Sequence, residues 1–405
     1  MACVGEGAQS SGAMTMGARL ERMYSIEDLR NAAKKRLPRA VFDFYDGGSQ
    51  DELTLGANHQ AFKKSSLLPR ILRPVDEVDP TTTILGHRSA YPIVVAPMGG
   101  MGIGWPDGDI ALARAASEAG IPYTLSSASN NSLEEVARSA RGRLWFQPYM
   151  LKQREFVYQL IDRAYAADYE ALVVTLDMPT GGKRERDLRN QFGLPFRLTP
   201  SGFLDFASRP MWSLDMLRRG VPRMGNMVGY EDSAASATRT MATLGRSADA
   251  AMDADQLRRV RDRWPRKLIV KGVMHPDDAT YLADIGCDAM VVSNHGGRQY
   301  DGCPSSLAML PYIVKAVSGR SEVLLDGGIR RGRHALQAVA LGAQAVLVGR
   351  AVLYGTVAAG ESGARRAIEI LADEIVRDLR LCGTRNIEQV REHAFWKHQG
   401  DGEES

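Results

Sequence analysis

AMVVSNHGGR, residues 289–298, decides the reading of the fold. Four apolar residues run without a polar break and then give way at once to Ser293-Asn294-His295-Gly296-Gly297-Arg298. A run of this kind fits a strand buried on both faces, as in a parallel sheet covered by helices; a half-exposed strand would alternate. The same build recurs on either side. Upstream stand Ile93–Met98 (IVVAPM), Tyr123–Ser127 (YTLSS), Leu144–Tyr149 (LWFQPY), Ala171–Asp177 (ALVVTLD) and Lys267–Gly272 (KLIVKG). Downstream are Glu322–Gly327 (EVLLDG) and Ala345–Arg350 (AVLVGR). Helical patterns fall between them at Asp107–Ala119, Leu133–Ser139, Arg154–Ala167, Pro276–Ile285, Pro304–Ala316 and Arg331–Leu341. Strand–helix units repeated in this way predict an α/β fold, a closed (β/α)8 TIM barrel.

A chain of 405 residues fits one such domain, expected over 21–392, between a flexible extension (1–20) and a tail (393–405). Two pieces leave the rhythm: an N-terminal helical segment with its connector (23–90), and a long insertion, 183–265, between the fourth and fifth strands. Apolar residues at 44% and charged ones at 24% supply a sizeable core. A net charge of +3 gives no field that argues for nucleic acid. Cys3, Cys287, Cys303 and Cys382 form no CxxC, so reduced thiols are expected and no metal site. No apolar stretch reaches the ~18 residues of a membrane span. Residues 1–20 lack a basic start and an apolar core. A cytoplasmic location is expected.

In such barrels chemistry sits at the C-terminal ends of the strands. There the sequence places Gly99, Ser126, Gln147, Tyr149, Thr175, Asp177, Lys271, Ser293, His295, Arg298, Asp326, Gly349 and Arg350. A histidine at a strand end can take a proton near neutral pH, and an arginine three residues on can fork onto a carboxylate. A lone histidine is more often structural; the Gly-Gly-Arg context shifts the weight towards catalysis. Lys271 either snorkels from its strand end or faces a ligand atom that gains negative charge. Asp177 either caps the next helix or stabilises an imidazolium at His295. Asp326-Gly327-Gly328-Ile329-Arg330-Arg331-Gly332 and Gly349-Arg350 end the last two strands, where barrels bind phosphate. No GxGxxG follows a first strand, which disfavours a nicotinamide site.

SNHGGRQ (293–299) and DGGIRRG (326–332) resemble the FMN-dependent 2-hydroxy-acid dehydrogenase and oxidase family, the glycolate oxidase-like flavoenzymes, from about Tyr24 to about Glu392. The resemblance implies FMN as cofactor and oxidation of an (S)-2-hydroxy acid to the 2-oxo acid. It implies His295 as the base, by a carbanion or a hydride route, with Asp177 as its partner. Arg298 and Arg184 would bind the substrate carboxylate and Tyr149 the substrate oxygen. Lys271 would face the flavin N1/O2 edge. Pro97, Met98 and Gly99 would lie beside the flavin, with Ser126, Gln147, Thr175 and Ser293 on the isoalloxazine. Asp326, Gly328, Arg330, Gly349 and Arg350 would surround the ribityl phosphate.

Within the family the likeness is to the (S)-mandelate dehydrogenase branch, through TLSSASNNSLEE (124–135), LWFQPYM (144–150), KRERDLRNQF (183–192) and PMWSLDMLRRG (210–220). Gly99 and Ala128 stand where bulkier residues occur and would leave room for an aryl group. Phe44 replaces a tyrosine whose hydroxyl reaches the substrate carboxylate; Tyr45, next to it on a helix, points about 100° away. Met98 replaces a threonine.

From Lys183 to Arg223 nine Lys/Arg face four Asp/Glu, interleaved with apolar residues such as Phe203, Leu204, Trp212 and Leu217. This pattern reads as a lid, a subunit contact or an interfacial membrane segment on the inner face of the membrane. Gly229–Asp253, rich in Ala, Ser, Thr and Gly, is expected to be weakly ordered. A homotetramer is the expected assembly. The electron acceptor is left open between a quinone, a redox protein and oxygen. A non-catalytic flavin-binding protein is the rival from another class, disfavoured by the joint presence of His295, Arg298, Lys271, Tyr149 and Asp177.

Overall fold

A computed structural model describes residues 16–192, 200–230, 247–393 and 395–396. Every apolar run forms a strand: β1 (Ile93–Val95), β2 (Tyr123–Ser126), β3 (Leu144–Gln147), β4 (Ala171–Thr175), β5 (Lys267–Val273), β6 (Ala289–Val292), β7 (Glu322–Leu325) and β8 (Ala345–Val348). All pair in parallel, and β8 meets β1 with Leu347 opposite Val94, so the sheet closes into an eight-stranded barrel. Alternate residues explain the unbroken runs. Val94, Trp145, Val173, Ile269, Val291, Leu324 and Leu347 belong to one buried cluster within the barrel. Their neighbours Val95, Phe146, Leu172, Val270, Val292 and Leu325 belong to the cluster shared with the helices. The hairpin Thr82–Ile84 with His87–Ser89 adds Ile84 and Leu85 to the inner cluster, and the Leu85 N–H donates to the Glu322 carboxylate at 2.9 Å.

The surrounding helices are α1 (Gly108–Glu118), α2 (Leu133–Ser139), α3 (Arg154–Ala166), α4 (Ala254–Arg263), α5 (Pro276–Asp284), α6 (Ser306–Val317), α7 (Gly332–Ala340) and α8 (Arg350–Leu381). Ser132 starts α2 with a reciprocal cap: its hydroxyl accepts the Glu135 N–H, and the Glu135 carboxylate accepts the Ser132 N–H. Helix α8 is broken at Ala359 and Gly360, whose backbones leave the helical region.

Helix α4 lies inside the predicted insertion yet belongs to the barrel ring. Leu257, Val260 and the following Trp264 are buried, Arg263 pairs with Asp162 on α3, and Arg258 donates to the Tyr281 hydroxyl on α5. The excursion from the barrel is therefore shorter than 183–265 and ends before Ala254. Two further boundaries shift. Part of the predicted flexible extension is ordered: Met16–Glu21 is helical and buries Leu20. The predicted tail contributes Phe395–Trp396, paired with Ser66–Leu67. Of the stretch expected to be weakly ordered, 231–246 falls outside the described residues, while Tyr230 and Asp249 on its flanks are buried.

Helices Pro200–Ala207 and Pro210–Arg219 carry the excursion across the N-terminal segment. Trp212 is buried, stacks on Phe206 and donates its indole N–H to the Ile103 carbonyl at 2.8 Å. The returning strand of chain is plugged into the loop before α2. Asn226, fully buried, accepts the Leu133 N–H at 2.8 Å and donates to the Ser129 hydroxyl at 2.9 Å. The excursion is thus held at both ends by core contacts, and only its middle can be a separable appendage. Asn226→Ala should cost about 1–3 kcal/mol, because it strands a buried N–H and a buried hydroxyl. Equilibrium urea unfolding measures this, and the loss should exceed that of Leu217→Ala, which removes an exposed side chain.

Candidate active site

A cleft enclosing about 1290 Å³, its open mouth included, lies over the C-terminal ends of the strands. Its lining contains Phe44, Pro97, Met98, Gly99, Ala128, Gln147, Tyr149, Thr175, Arg184, Lys271, His295, Arg298, Asp326, Gly328, Arg330, Gly349 and Arg350. Asp177, Ser126 and Ser293 stand one layer behind. The sequence-predicted residues therefore converge on one place, although they come from all eight strand ends and from the N-terminal segment.

His295 and Asp177 form its polar centre. Nδ1 of His295 is 2.9 Å from Oδ1 of Asp177, which leaves Nε2 as the free ring nitrogen. Burial works against the Asp177 carboxylate, but the charge and hydrogen bond of His295, with Lys271, outweigh it and hold this carboxyl below its usual range. The approach depends on β5. The β5–β6 register slips between Lys271 and Val273, and Gly272 there has φ +107°. A Cβ on Gly272 would sit 2.6 Å from Cβ of Asp177. Only glycine lets β4 and β5 approach so closely. His295 itself is held at φ +56°, with its N–H on the Ser293 hydroxyl at 3.1 Å.

Lys271 is buried, donates to the Ser293 hydroxyl at 2.7 Å and pairs with Asp326 at 2.8 Å. Burial pulls its pKa down, yet Asp326 and Asp177 more than compensate, so its pKa is raised and the ammonium is retained. This is a fixed cation facing the cleft, not a snorkelling side chain.

The arginines divide their work. Arg298 donates through Nη1 to the carbonyls of Phe44 (2.8 Å) and Gly47 (3.0 Å), so only its remaining edge is available to a carboxylate. Burial, then Arg184 and Arg350, push its pKa down to about 9, the mark of a cation short of negative partners. An incoming carboxylate relieves that imbalance. Arg184 pairs with Asp187 at 3.1 Å and is 5.7 Å from the centroid of the Phe44 ring, with Arg298 at 5.3 Å from the same ring. Arg350 differs from its predicted place at the phosphate: Nε, Nη1 and Nη2 donate to the carbonyls of Tyr45 (2.9 Å), Gly296 (3.0 Å) and Gly47 (2.7 Å). It binds the N-terminal segment and the sixth loop to the barrel.

Two expectations about the pocket change. A Cβ on Gly99 would lie 2.9 Å from Cβ of Ala128, so these small residues fill one another's space more than they open room for an aryl group. Tyr45 does not replace the hydroxyl missing at Phe44, because its own hydroxyl donates to the Gly100 carbonyl at 2.6 Å. Phe44 instead stacks on Phe192 of the excursion, with centroids 4.7 Å apart. Sequence reasoning passed over Met178, Ile329, Leu353 and Gln299 in the lining, and Asn58, whose amide pairs reciprocally with Asn294 at 2.8 and 2.9 Å. None carries a motif; only the strand-end position of Met178 and Gln299 gave a signal.

The cleft suits a flat cofactor with a polar edge and a phosphate. Nε2 of Gln147 and Oγ1 of Thr175 are buried in its wall without a protein partner, and groups of that kind are normally satisfied. Ser126 fixes the Gln147 amide by donating to its oxygen at 2.8 Å. At the other end, Gly328 has φ +83°, and the first turn of α8 opens at Gly349. Free amides of a helix start and a cationic side chain, Arg330, meet there. Among the described residues no group of acidic, His and Cys side chains could hold a metal ion.

The family model described as FMN-dependent dehydrogenase matches residues 33–397. (S)-mandelate dehydrogenase of Pseudomonas putida is 40% identical over 91% of this chain and 92% of its own length. L-lactate dehydrogenase of Caulobacter vibrioides is 39% identical over 91% and 96%, and 4-hydroxymandelate oxidase of Amycolatopsis orientalis 39% over 91% and 96%. Among solved structures, the monotopic membrane protein (S)-mandelate dehydrogenase superposes with a TM-score of 0.89 at 39% identity, covering 93% of this chain and 99% of that one. A mandelate oxidase gives 0.78 at 38%, covering 91% and 97%.

Asp177→Asn removes the charge that stabilises protonated His295 while keeping its shape. Anaerobic stopped-flow mixing with substrate should show flavin bleaching slowed by about 10²–10⁴-fold, with the flavin still bound, the range that a positioned base supplies. An unchanged rate would remove the pair from the chemistry.

Proposed function

From the premise that the chain belongs to the FMN-dependent dehydrogenases, we propose that it oxidises an (S)-2-hydroxy acid of the mandelate type to the 2-oxo acid. One observation carries this reading: the His295–Asp177 pair and the Arg298–Arg184 cations face a single cleft whose floor fits FMN. Bound FMN supplies the acceptor for the two electrons that leave the substrate.

The protein's own groups do the rest. The free edge of Arg298, backed by Arg184, takes the substrate carboxylate and thereby fixes the 2-carbon against the cleft floor. Tyr149, buried in the same wall, presents its hydroxyl to the 2-oxygen. His295 takes a proton at Nε2, and Asp177, bonded to Nδ1, stabilises the charge that the ring acquires. The same base serves removal from the α-carbon or from the hydroxyl. Lys271 places a fixed positive charge where the cofactor gains electron density.

Relatives named for mandelate and 4-hydroxymandelate support an aryl substrate, and the lactate-named relative is the reason to test it. The acceptor divides along the same lines, dehydrogenase against oxidase, and turnover with a quinone or with oxygen separates the two. We further propose contact with the cytoplasmic face of a membrane through the excursion. Phe203, Leu204, Met211 and Leu217 are 62–82% exposed and flanked by Arg209, Arg218 and Arg219. No helix among the described residues is long and apolar enough to cross a membrane. The homotetramer implied by the family resemblance belongs to the same proposal; light scattering should give four times 44.3 kDa.

For (S)-mandelate, kcat/KM should exceed that for lactate by at least about tenfold, or ~1.4 kcal/mol in transition-state binding. Ala128→Trp should narrow or reverse the ratio. Gly99→Ala should act through Ala128, so the double variant Gly99→Ala with Ala128→Gly should recover what the single one loses. Better turnover of lactate by the unmodified enzyme would overturn the aryl assignment. Separately, Leu217→Asp with Met211→Asp should abolish sedimentation with anionic vesicles and leave kcat with a soluble dye unchanged.

A further inference from the structure

The loop Asp326–Gly332 must keep one shape to hold a phosphate, and three contacts from outside fix it. Gly327 (φ +97°) and Gly328 (φ +83°) take the left-handed conformation, and a Cβ on Gly328 would lie 2.6 Å from the carbonyl oxygen of Asn58. The loop is therefore pressed onto the N-terminal helix Leu53–Lys64. Its far end is pinned by α8: Glu374 accepts the Gly332 N–H at 2.7 Å and pairs with Arg331 at 2.6 Å. The third contact is His334, in the first turn of α7. Its Nδ1 accepts the Arg330 N–H at 3.2 Å, and its ring stacks on Phe62, with centroids 4.3 Å apart and planes within 7°. The Gly328 backbone is a second hydrogen-bonding neighbour of the same ring.

We propose that His334 is a positioning residue for the cofactor phosphate: clamped on Phe62, it fixes the Arg330 backbone so that the Gly328–Arg330 loop presents its donors to the phosphate. This makes helix Leu53–Lys64, which contributes nothing to the chemistry, part of the cofactor site. An imidazole does this only when neutral, since a protonated ring has no acceptor. Burial first, and Arg333 next, push the His334 pKa down to about 3, so the acceptor persists through the working range. Gln337, one turn further along α7, donates to the carbonyls of Phe62 (3.2 Å) and Ser65 (2.6 Å) and holds the two helices in register.

The inference rests on the phosphate lying at the seventh and eighth strand ends, and the test separates the two. Full-length protein is loaded with FMN or with riboflavin, which lacks only the phosphate, and the return of free-flavin fluorescence on dilution gives each dissociation constant. His334→Phe keeps the stack on Phe62 and removes the acceptor. It should weaken FMN at least tenfold and riboflavin less than twofold. His334→Asn, which restores an acceptor near the Nδ1 position, should recover most of the difference. An unchanged FMN-to-riboflavin ratio in a folded His334→Phe protein overturns the proposal, as does parallel loss of both flavins, which marks a merely structural role. If His334→Phe does not fold, Phe62→Leu is read in the same way: a fallen ratio supports the clamp and an unchanged one overturns it. Wild-type protein that does not distinguish FMN from riboflavin, or an Arg330→Ala protein with an unchanged ratio, would instead show that the phosphate lies elsewhere.

Discussion

The guanidinium of Arg350, with its three hydrogen bonds to the carbonyls of Tyr45, Gly47 and Gly296, is the constraint on which the active-site architecture hangs. A buried cation must be satisfied or it destabilises the fold by several kcal/mol. The carbonyls that satisfy this one belong to the end of helix Arg39–Asp46 and to the loop after β6. Arg298 repeats the logic on Phe44 and Gly47. Asp46 completes the knot: Arg30 and the Tyr354 hydroxyl hold its carboxyl well below the usual range against the penalty of burial. The N-terminal segment is thus a wall of the site, laid over the barrel mouth by hydrogen bonds to arginines that start at strand ends.

The same constraint shapes the electrostatics. Lys271, Arg298 and Arg350 lie buried within one cleft, with Arg184 partly so. Only Lys271 has a carboxylate in direct contact, Asp326. Backbone carbonyls satisfy hydrogen bonds without neutralising charge, so the cleft retains positive potential where an acid and a phosphate belong. Removing either member of the Lys271–Asp326 pair would leave an uncompensated buried charge, which costs more than an exposed pair ever gains.

The barrel was legible because its strands are buried on both faces, and the resulting runs, such as ALVVT and AMVV, cannot be confused with loops. The strand-end rule then placed His295, Lys271 and Asp177 in one cleft. What escaped has a physical cause in each case. Helix α4 reads ADQLRRVRDR, with only Leu257 and Val260 to mark a buried stripe, so it merged with the insertion before it. The N-terminus of α8 hides behind Gly349-Arg350, which reads as a phosphate loop, and its centre is broken by Gly360. Asn58 and Asn226 act through single amides at long sequence separation, and no period announces such contacts. Gly99 and Ala128 were recognised as small, but that they touch follows from the approach of two loops and is invisible in either one.

Phe44 shows how a departure from the family pattern is absorbed. Without a hydroxyl it offers the carboxylate nothing directly, yet its ring is within cation–π reach of both arginines that hold that carboxylate. Its face is covered by Phe192, which follows helix Glu185–Arg189 of the excursion. That helix is tied down by Arg186 on Asp46 and Glu52, and Asn190 just beyond it donates to Asp43 at 2.7 Å. The excursion therefore reaches the substrate site by a stacked pair worth about 0.5–1.5 kcal/mol beyond its buried area and by an ionic latch on the same N-terminal helix. A coupling of that size is enough to change substrate affinity severalfold, and too small to unseat Arg298, which the Phe44 and Gly47 carbonyls hold independently. Whatever the outer, apolar half of the excursion touches can thus modulate how Arg184 sits without disturbing the base, whose geometry is fixed by Gly272 and Asp177 on the opposite side of the cleft.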